Sequence, residues 1–243
     1  MQYTFSYNEM EAFLEYAKQL MPVVSFNGYK PGDKCIILRH DVDLDFYPAY
    51  EVSRIEKDLG ISSTFFILLN SPTYNPMSSK IRALLRKMNG DFEIGLHFDP
   101  TIYGDVSQDE LQRKIEMECD LLWDIVGEPV YSISLHNPSL SGNFPLFKGY
   151  INAYAPEFFC DERYISDSMR VDPLQHPYRN KDPYEFVRDA KSFPLQVVLH
   201  PEQFLRDGGD YVDTITRFNE RMLNTFLHEY VSLLLSYRKE ENQ

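Results

Sequence analysis

Residues 36–43 read IILRHDVD, an apolar run that ends in an arginine, a histidine and two aspartates. Three further apolar runs also end in a histidine, at His97, His136 and His200. Short apolar runs are typical of buried strands, and the carboxyl ends of parallel strands are where α/β proteins bind ligands and hold catalytic side chains. Imidazole and carboxylate together are the usual ligands of a catalytic divalent metal. The pattern therefore predicts a metal-assisted hydrolase.

Segments with the patterns of strands and helices alternate from Cys35 onward. The expected strands cover residues 35–39, 62–69, 92–96, 133–135, 150–154 and 195–199. The expected helices follow Ser6, Pro48 and Ser107, cover residues 81–88, and end the chain over about 213–237. Residues 158–193 show no clear periodicity and are expected to form long loops. Alternation of this kind predicts a parallel sheet, open or closed, with crossover helices outside it.

The length of 243 residues suits one α/β domain better than two. Within that domain we expect an N-terminal helical extension over residues 1–30, a barrel core over 35–204 and a C-terminal helix over 210–238. The last helix carries Phe218, Met222, Phe226 and Tyr230 along one face. The sequence does not predict an oligomeric state.

Composition excludes several classes of function. The formal net charge of -13 argues against a nucleic-acid partner, because phosphate binding needs clustered Lys and Arg. The three cysteines include no CxxC pair, which argues against disulfides and a thiolate zinc site, and they are expected to be buried. No apolar run is long enough to span a membrane, and the N-terminus lacks a signal-peptide pattern. We therefore expect a cytoplasmic protein.

Four short motifs follow one another in an informative order. They read RHDVD at 39–43, STFF at 63–66, EIGLH at 93–97 and LHPE at 199–202. In this order the chain resembles the polysaccharide deacetylases of the NodB-homology class, which are carbohydrate esterases, and in particular a branch with a His-Asp-Val-Asp motif. The resemblance covers roughly residues 35–204. It implies a distorted (β/α) barrel of parallel strands and the metal-dependent removal of an acetyl or similar acyl group from a sugar or glycan precursor.

The resemblance also implies roles for individual residues. Asp41 matches the catalytic base, and His200 matches the catalytic acid. Asp43 stands one residue after the position of the family's metal-binding aspartate and is its expected replacement. His97 matches the first histidine of the family's His-x-x-x-His metal motif.

The second histidine of that metal motif is replaced by Thr101. A third metal ligand must therefore come from elsewhere, and His136 is the candidate, with Asp99 in reserve. The metal is expected to be Zn, with Co, Ni, Mn and Fe as alternatives. Substrate-binding candidates are Arg39, Asp99, Asp161 and Asp167; Asp167 is expected either to orient the catalytic histidine or to contact sugar hydroxyls.

For the remaining histidines the sequence indicates either a structural role or no single role. His40 either orients a carboxylate or points into the core, and the sequence does not decide between the two. For His176 and His228 we expect structural roles.

Two other functions compete with deacetylation of a sugar. The same scaffold and metal would suit a cyclic-amide or formyl-amide hydrolase. The loss of the second motif histidine at Thr101 suggests a degenerate, non-catalytic sugar-binding domain. In each case the expected partner is a glycan or small molecule, without nucleic acid and without a membrane span.

Overall fold

A computed structural model describes residues 4–168, Tyr178 and 181–240 of the chain. His176 and Arg170, which the sequence places in the irregular segment, lie outside the described residues. Every strand pairing in the described part is parallel. The strands are β1 (Val23–Val24), β2 (Ile36–Val42), β3 (Thr64–Leu68), β4 (Glu93–Phe98), β5 (Ser132–Leu135), β6 (Ile151–Asn152), β7 (Tyr164–Ser166) and β8 (Leu195–Leu199).

The strands form one sheet in the order β6-β5-β4-β3-β2-β8-β7, with β1 also paired to β2. No pairing joins β6 to β7 among the described residues, so the curled sheet is an open, distorted (β/α) barrel, as expected. The helices are α1 (Tyr7–Leu20), α2 (Phe46–Leu59), α3 (Ser79–Met88), α4 (Gln108–Val126), α5 (Pro138–Ser141), α6 (Pro183–Arg188) and α7 (Tyr211–Glu240). Short 3-10 helices cover Pro100–Tyr103 and Pro201–Gln203.

The central strand β2 separates two apolar layers. All seven of its residues are buried, as a parallel strand covered on both faces requires. Because side chains alternate along a strand, Ile36, Leu38 and Val42 pack with the outer helices, while Ile37 packs inside the barrel with Phe26 and Phe66. Arg39 and Asp41 share the parity of Ile37. This alternation points both of their side chains into the barrel.

The helices begin where their capping residues place them. Ser6 forms a reciprocal capping box with Glu9 at α1, and Ser107 caps α4. The second helix begins two residues before Pro48, because Asp45 accepts a hydrogen bond from the backbone N–H of Tyr47 and so caps it.

The irregular segment contains more structure than the sequence predicts. Residues 158–193 include β7 and α6, which have only three and six residues and are too short to show a periodicity. Cys35 and Cys119 are buried as expected, but Cys160 is exposed, because it lies in the loop before β7 rather than in an element of the core. No helix in the described part of the chain is both long and apolar enough to cross a bilayer.

Candidate active site

Side chains from four strands meet at the carboxyl edge of the sheet. Asp41 lies near the end of β2 and His97 near the end of β4, while His136 and His200 directly follow β5 and β8. The strands are parallel, so these ends lie on one side of the barrel. A cavity of about 280 Å³ opens there, lined by Asp41, Asp43, His97, Tyr154, Tyr164 and His200.

Three of the predicted metal ligands cluster closely. Each of Asp43, His97 and His136 offers a ligand atom, and these atoms all lie within 4.8 Å of one another. His97 Nε2 lies 2.9 Å from Asp43 Oδ1, yet that buried oxygen has no hydrogen-bond partner among the described residues. The two ligand atoms therefore face each other at close range, as ligands of a shared cation would. One carboxylate and two imidazoles form a donor set that suits a divalent transition metal.

Neighbouring groups orient both imidazoles. His97 is buried, its Nδ1 lies 3.3 Å from the Ser134 carbonyl oxygen, and its Nε2 faces Asp43. The His136 ring meets the His97 ring edge-on at 5.2 Å between centroids. His136 Nδ1 lies 3.5 Å from Asp99 Oδ2. Asp99, the reserve ligand, also accepts hydrogen bonds from the Thr101 N–H and hydroxyl, so the structure places it behind His136 rather than within the cluster.

Arg39 holds Asp41 through two parallel hydrogen bonds. Arg39 Nε donates to Asp41 Oδ1 at 2.7 Å and Nη2 donates to Oδ2 at 2.6 Å. Burial alone would raise the pKa of Asp41, but the Arg39 guanidinium and His97 lower it overall. The side chain of Arg39, which was expected to bind substrate, is completely buried behind Asp41. Arg39 instead keeps this carboxylate ionised and fixed.

The remaining donors of Arg39 are satisfied by residues to which the sequence assigned no role. Nη1 donates to Gln196 Oε1 at 3.1 Å, and Nη2 donates to the Tyr154 hydroxyl at 3.1 Å and to the Ser134 hydroxyl. The guanidinium also lies 4.8 Å from the centroid of the Tyr154 ring. Gln196 is the one polar residue in the apolar strand β8, and this was the signal that could have identified it.

Asp167 positions His200 by two contacts. Asp167 Oδ2 accepts from the His200 backbone N–H at 2.9 Å, and Oδ1 lies 2.5 Å from His200 Nδ1. Burial alone would lower the pKa of His200, but Asp167, with help from Asp43 and Asp41, raises it well above its ordinary value. Asp167 is fully buried, so of its two predicted roles the geometry fits orientation of His200 and leaves no path to a sugar hydroxyl.

Other histidines and Asp161 lie away from this cavity. Asp161 is exposed and precedes β7, which places it at the opposite edge of the sheet from Asp167; the structure does not bring it to the site. His40 points outward from β2 into the core, where its Nε2 lies 2.6 Å from Glu56 Oε1 and its ring stacks on Phe65. His228 is exposed on α7.

Glu202 is a further acidic group at the site. It stands in the motif LHPE, two residues after His200, and is buried with no partner for Oε2 among the described residues. Burial, reinforced by the negative charge of Asp43, raises the pKa of Glu202 to about 8. Glu202 is therefore more readily protonated than an exposed glutamate.

Comparison with known proteins gives structural similarities at low sequence identity. No family model and no curated protein matches the chain. The chain is similar to a family 4 acetyl xylan esterase from Clostridium thermocellum, solved with a cobalt ion (12% identity, 68% of this chain and 73% of that chain, TM-score 0.42). It is also similar to the chitin deacetylase of Colletotrichum lindemuthianum (14%, 77% and 81%, 0.47).

A third similar structure is a CE4 family pseudoenzyme from Bacillus anthracis (14% identity, 79% of this chain and 63% of that chain, TM-score 0.45). This chain spans less than two thirds of the length of the pseudoenzyme.

Proposed function

We propose that this protein is a metal-dependent hydrolase that removes an acetyl or similar acyl group from a sugar or glycan precursor. One observation carries the proposal: a carboxylate held by an arginine and a histidine held by a carboxylate both border the Asp43–His97–His136 cluster. Asp41 Oδ2 lies 3.8 Å from His97 Nε2, and His200 Nε2 lies 3.8 Å from Asp43 Oδ2. Asp41 and His200 thus supply a base and an acid next to one cation site.

Asp43, His97 and His136 would hold the metal. Burial alone would raise the pKa of Asp43, but His97 and His200 hold it well below its ordinary range, so the carboxylate is ionised and ready to bind a cation. A divalent ion held by three protein ligands keeps open positions, makes a water molecule more acidic and polarises an acyl oxygen.

Asp41 acts as the base in this proposal. The two hydrogen bonds from Arg39 fix its orientation and keep it ionised, so that it can accept a proton from the attacking water. General acid or base catalysis contributes about 100- to 10,000-fold in rate. Loss of the carboxylate should therefore leave a slow but measurable catalyst.

His200 acts as the acid. Its Nδ1 faces Asp167, which leaves Nε2 directed toward the cluster and the cavity. The raised pKa of His200 keeps this nitrogen protonated at neutral pH. The imidazolium donates its proton to the departing amine nitrogen or alcohol oxygen, and the acid product and the deacylated sugar are released.

Thr101 is the observation behind the non-catalytic alternative. Its hydroxyl donates to Asp99 Oδ1 at 2.6 Å, and Asp99 in turn lies against His136. His136, at the end of the neighbouring strand β5, thus offers an imidazole in place of the motif histidine that Thr101 replaces. This arrangement supports the catalytic proposal over a binding-only domain, and the order of the four motifs supports a sugar over a cyclic amide.

The proposal is tested by following acetate release from a panel of N- and O-acetylated sugars. The protein is loaded in turn with Zn, Co, Ni or Mn. We expect turnover with at least one metal, and a loss of at least about 100-fold in both Asp41→Asn and His200→Ala. Asp161→Asn is the matched control, because it removes an exposed carboxylate at the opposite edge of the sheet and should retain full activity.

Two outcomes would overturn the assignment. Turnover on cyclic amides but on no acetylated sugar would select the alternative hydrolase. Sugar binding without turnover under every metal, unchanged by a chelator, would select the non-catalytic domain.

A further inference from the structure

The C-terminal helix α7 leaves the body of the protein. Its first half rests on the barrel through the buried Thr214 and through an ion pair between Arg221 and Asp45. Beyond that point every described side chain from Phe226 to Leu235 is exposed. The helix has 30 residues and is about 45 Å long, so its second half extends well past the barrel.

One face of the projecting half is apolar. At about 100° per residue, the apolar side chains between residues 222 and 234 cover roughly half of the helix circumference. Besides Leu233, they are Met222, Leu223, Phe226, Leu227, Tyr230, Val231 and Leu234. We call these seven residues the α7 ridge. Asn224, Thr225, His228 and Ser232 lie on the opposite face. Isolated helices are only marginally stable in water, and in proteins most of their stability comes from packing of an amphipathic face. We therefore expect another surface to pack on this ridge.

We infer that the α7 ridge is a dimer interface, on which the α7 ridge of a second copy of this chain packs about a twofold axis. The area is sufficient. Leu223, Phe226 and Tyr230 are 58%, 64% and 52% exposed, and the other four residues are exposed to a similar degree. The ridge therefore offers roughly 700 Å² per copy. Two such faces bury roughly 1,200–1,400 Å², which lies within the range of specific protein interfaces.

Charge also favours this pairing. The whole chain carries a net charge of -13, so two copies repel one another over most of their surface. Residues 222–235 contain one acidic residue, Glu229, and no Lys or Arg. Two copies can meet there with the least repulsion. A membrane-surface helix, in contrast, typically carries Lys and Arg on its polar face.

The ridge is also complementary to itself. A twofold interface brings the same patch of both copies together, and a continuous ridge of mainly apolar side chains satisfies that condition. The inference is independent of the proposed function, because no residue of the α7 ridge belongs to the candidate active site.

The test measures the mass of the full-length protein in solution by light scattering and by sedimentation at several concentrations. We expect the wild type at twice the chain mass of 28.6 kDa and the Leu223→Glu/Tyr230→Glu variant at the monomer mass. Glutamate is a good helix former, so circular dichroism should show an unchanged helix content. The matched control is Met117→Glu on α4, where the side chain is 54% exposed; it should remain dimeric.

Hydrogen exchange gives an independent reading that needs no variant. In the wild type the amides of residues 222–235 should become more protected as the protein concentration rises. A monomeric wild type at high micromolar concentration would overturn the inference. So would a double variant that stays dimeric. Binding of a monomeric wild type to phosphatidylcholine vesicles, lost in the double variant, would assign the ridge to a lipid surface instead.

Discussion

At the scale of single residues, the site depends on two pairs of charged side chains that the fold itself holds in position. Arg39 and Asp41 are both buried and lie two residues apart on one strand, so their side chains share the inner face of β2. Asp167 and His200 form a second pair across β7 and β8. Each pair costs desolvation energy and is stable only while both partners are present.

Replacement of Arg39 by Met should destabilise the protein by about 3–5 kcal/mol, because it leaves Asp41 as an uncompensated buried charge. The free energy of unfolding in urea measures this loss. Asp41→Asn in the same background should restore much of it, since the charge that lacks a partner is then removed. A loss below about 1 kcal/mol in the single variant would mean that the Arg39–Asp41 pair does not hold the charge in place.

The pH dependence of activity reports on the second pair. A protonated His200 is required, and Asp167 raises the pKa of His200, so activity should persist into alkaline solution and be lost as the pH rises through that raised pKa. In Asp167→Asn the pKa falls, and the alkaline limb of the profile of kcat/KM should move to lower pH. Asp161→Asn serves as the control and should leave the limb unchanged. An unmoved limb in Asp167→Asn would contradict the role of His200.

At the scale of elements, strand β4 must approach its neighbours closely to place His97. Gly95 faces the barrel interior between β3 and β5, where an added Cβ would lie 2.5 Å from Phe66 Cε1 and 2.8 Å from Ser132 Oγ. Only a residue without a side chain fits there, and Arg39 in turn packs on the same Phe66 ring at 5.5 Å. The packing of β4 is thus connected to the support of Asp41.

Gly95→Ala should destabilise the protein by about 1–3 kcal/mol, because the new methyl group forces the packed rings and β4 apart. Thermal and urea unfolding measure this effect. Gly90→Ala is the matched control: a Cβ there meets nothing within 4 Å, so the change should be neutral or slightly stabilising. Equal stability of the two variants would show that β4 has room to move.

The strand-end pattern predicted which residues meet at the site, but not which buried side chains support them. Parallel strands share one carboxyl edge, and this rule alone predicted the grouping of Asp43, His97, His136 and His200. The burial of Arg39 depends on side-chain parity and on partners such as Gln196, 157 residues away along the chain, which no local pattern contains. The position of Asp161 could not be predicted either, because β7 has only three residues and its sequence does not reveal at which edge of the sheet the flanking residues lie.

At the scale of the whole molecule, the curl of the sheet makes the cluster possible. Strands β2 and β4 are separated by β3, so in a flat sheet their backbones would lie about 10 Å apart. Asp43 and His97 nevertheless approach to 2.9 Å, because side chains on the inner face of a curled sheet converge. Strands on both sides of β3 therefore share one site.

A metal that binds this site should stabilise the whole fold. Three strand ends contribute to the cluster, so the ion would bind the folded chain and not the unfolded one. At about 100 times its Kd, such an ion should add about 2.7 kcal/mol to the free energy of unfolding. The Tm should rise with zinc and fall with a chelator. In His136→Ala this dependence should be much weaker, whereas in Asp161→Asn it should equal that of the wild type. A Tm that ignores both zinc and chelator would mean that no ion is held across the strands.

The most direct test of the central claim is anomalous scattering at the zinc edge from crystals of the protein grown with zinc. We predict one strong peak per chain within coordinating distance of Asp43, His97 and His136, about 2.0–2.2 Å from each ligand atom. A peak elsewhere, or no peak at this cluster with zinc in excess, would contradict the claim.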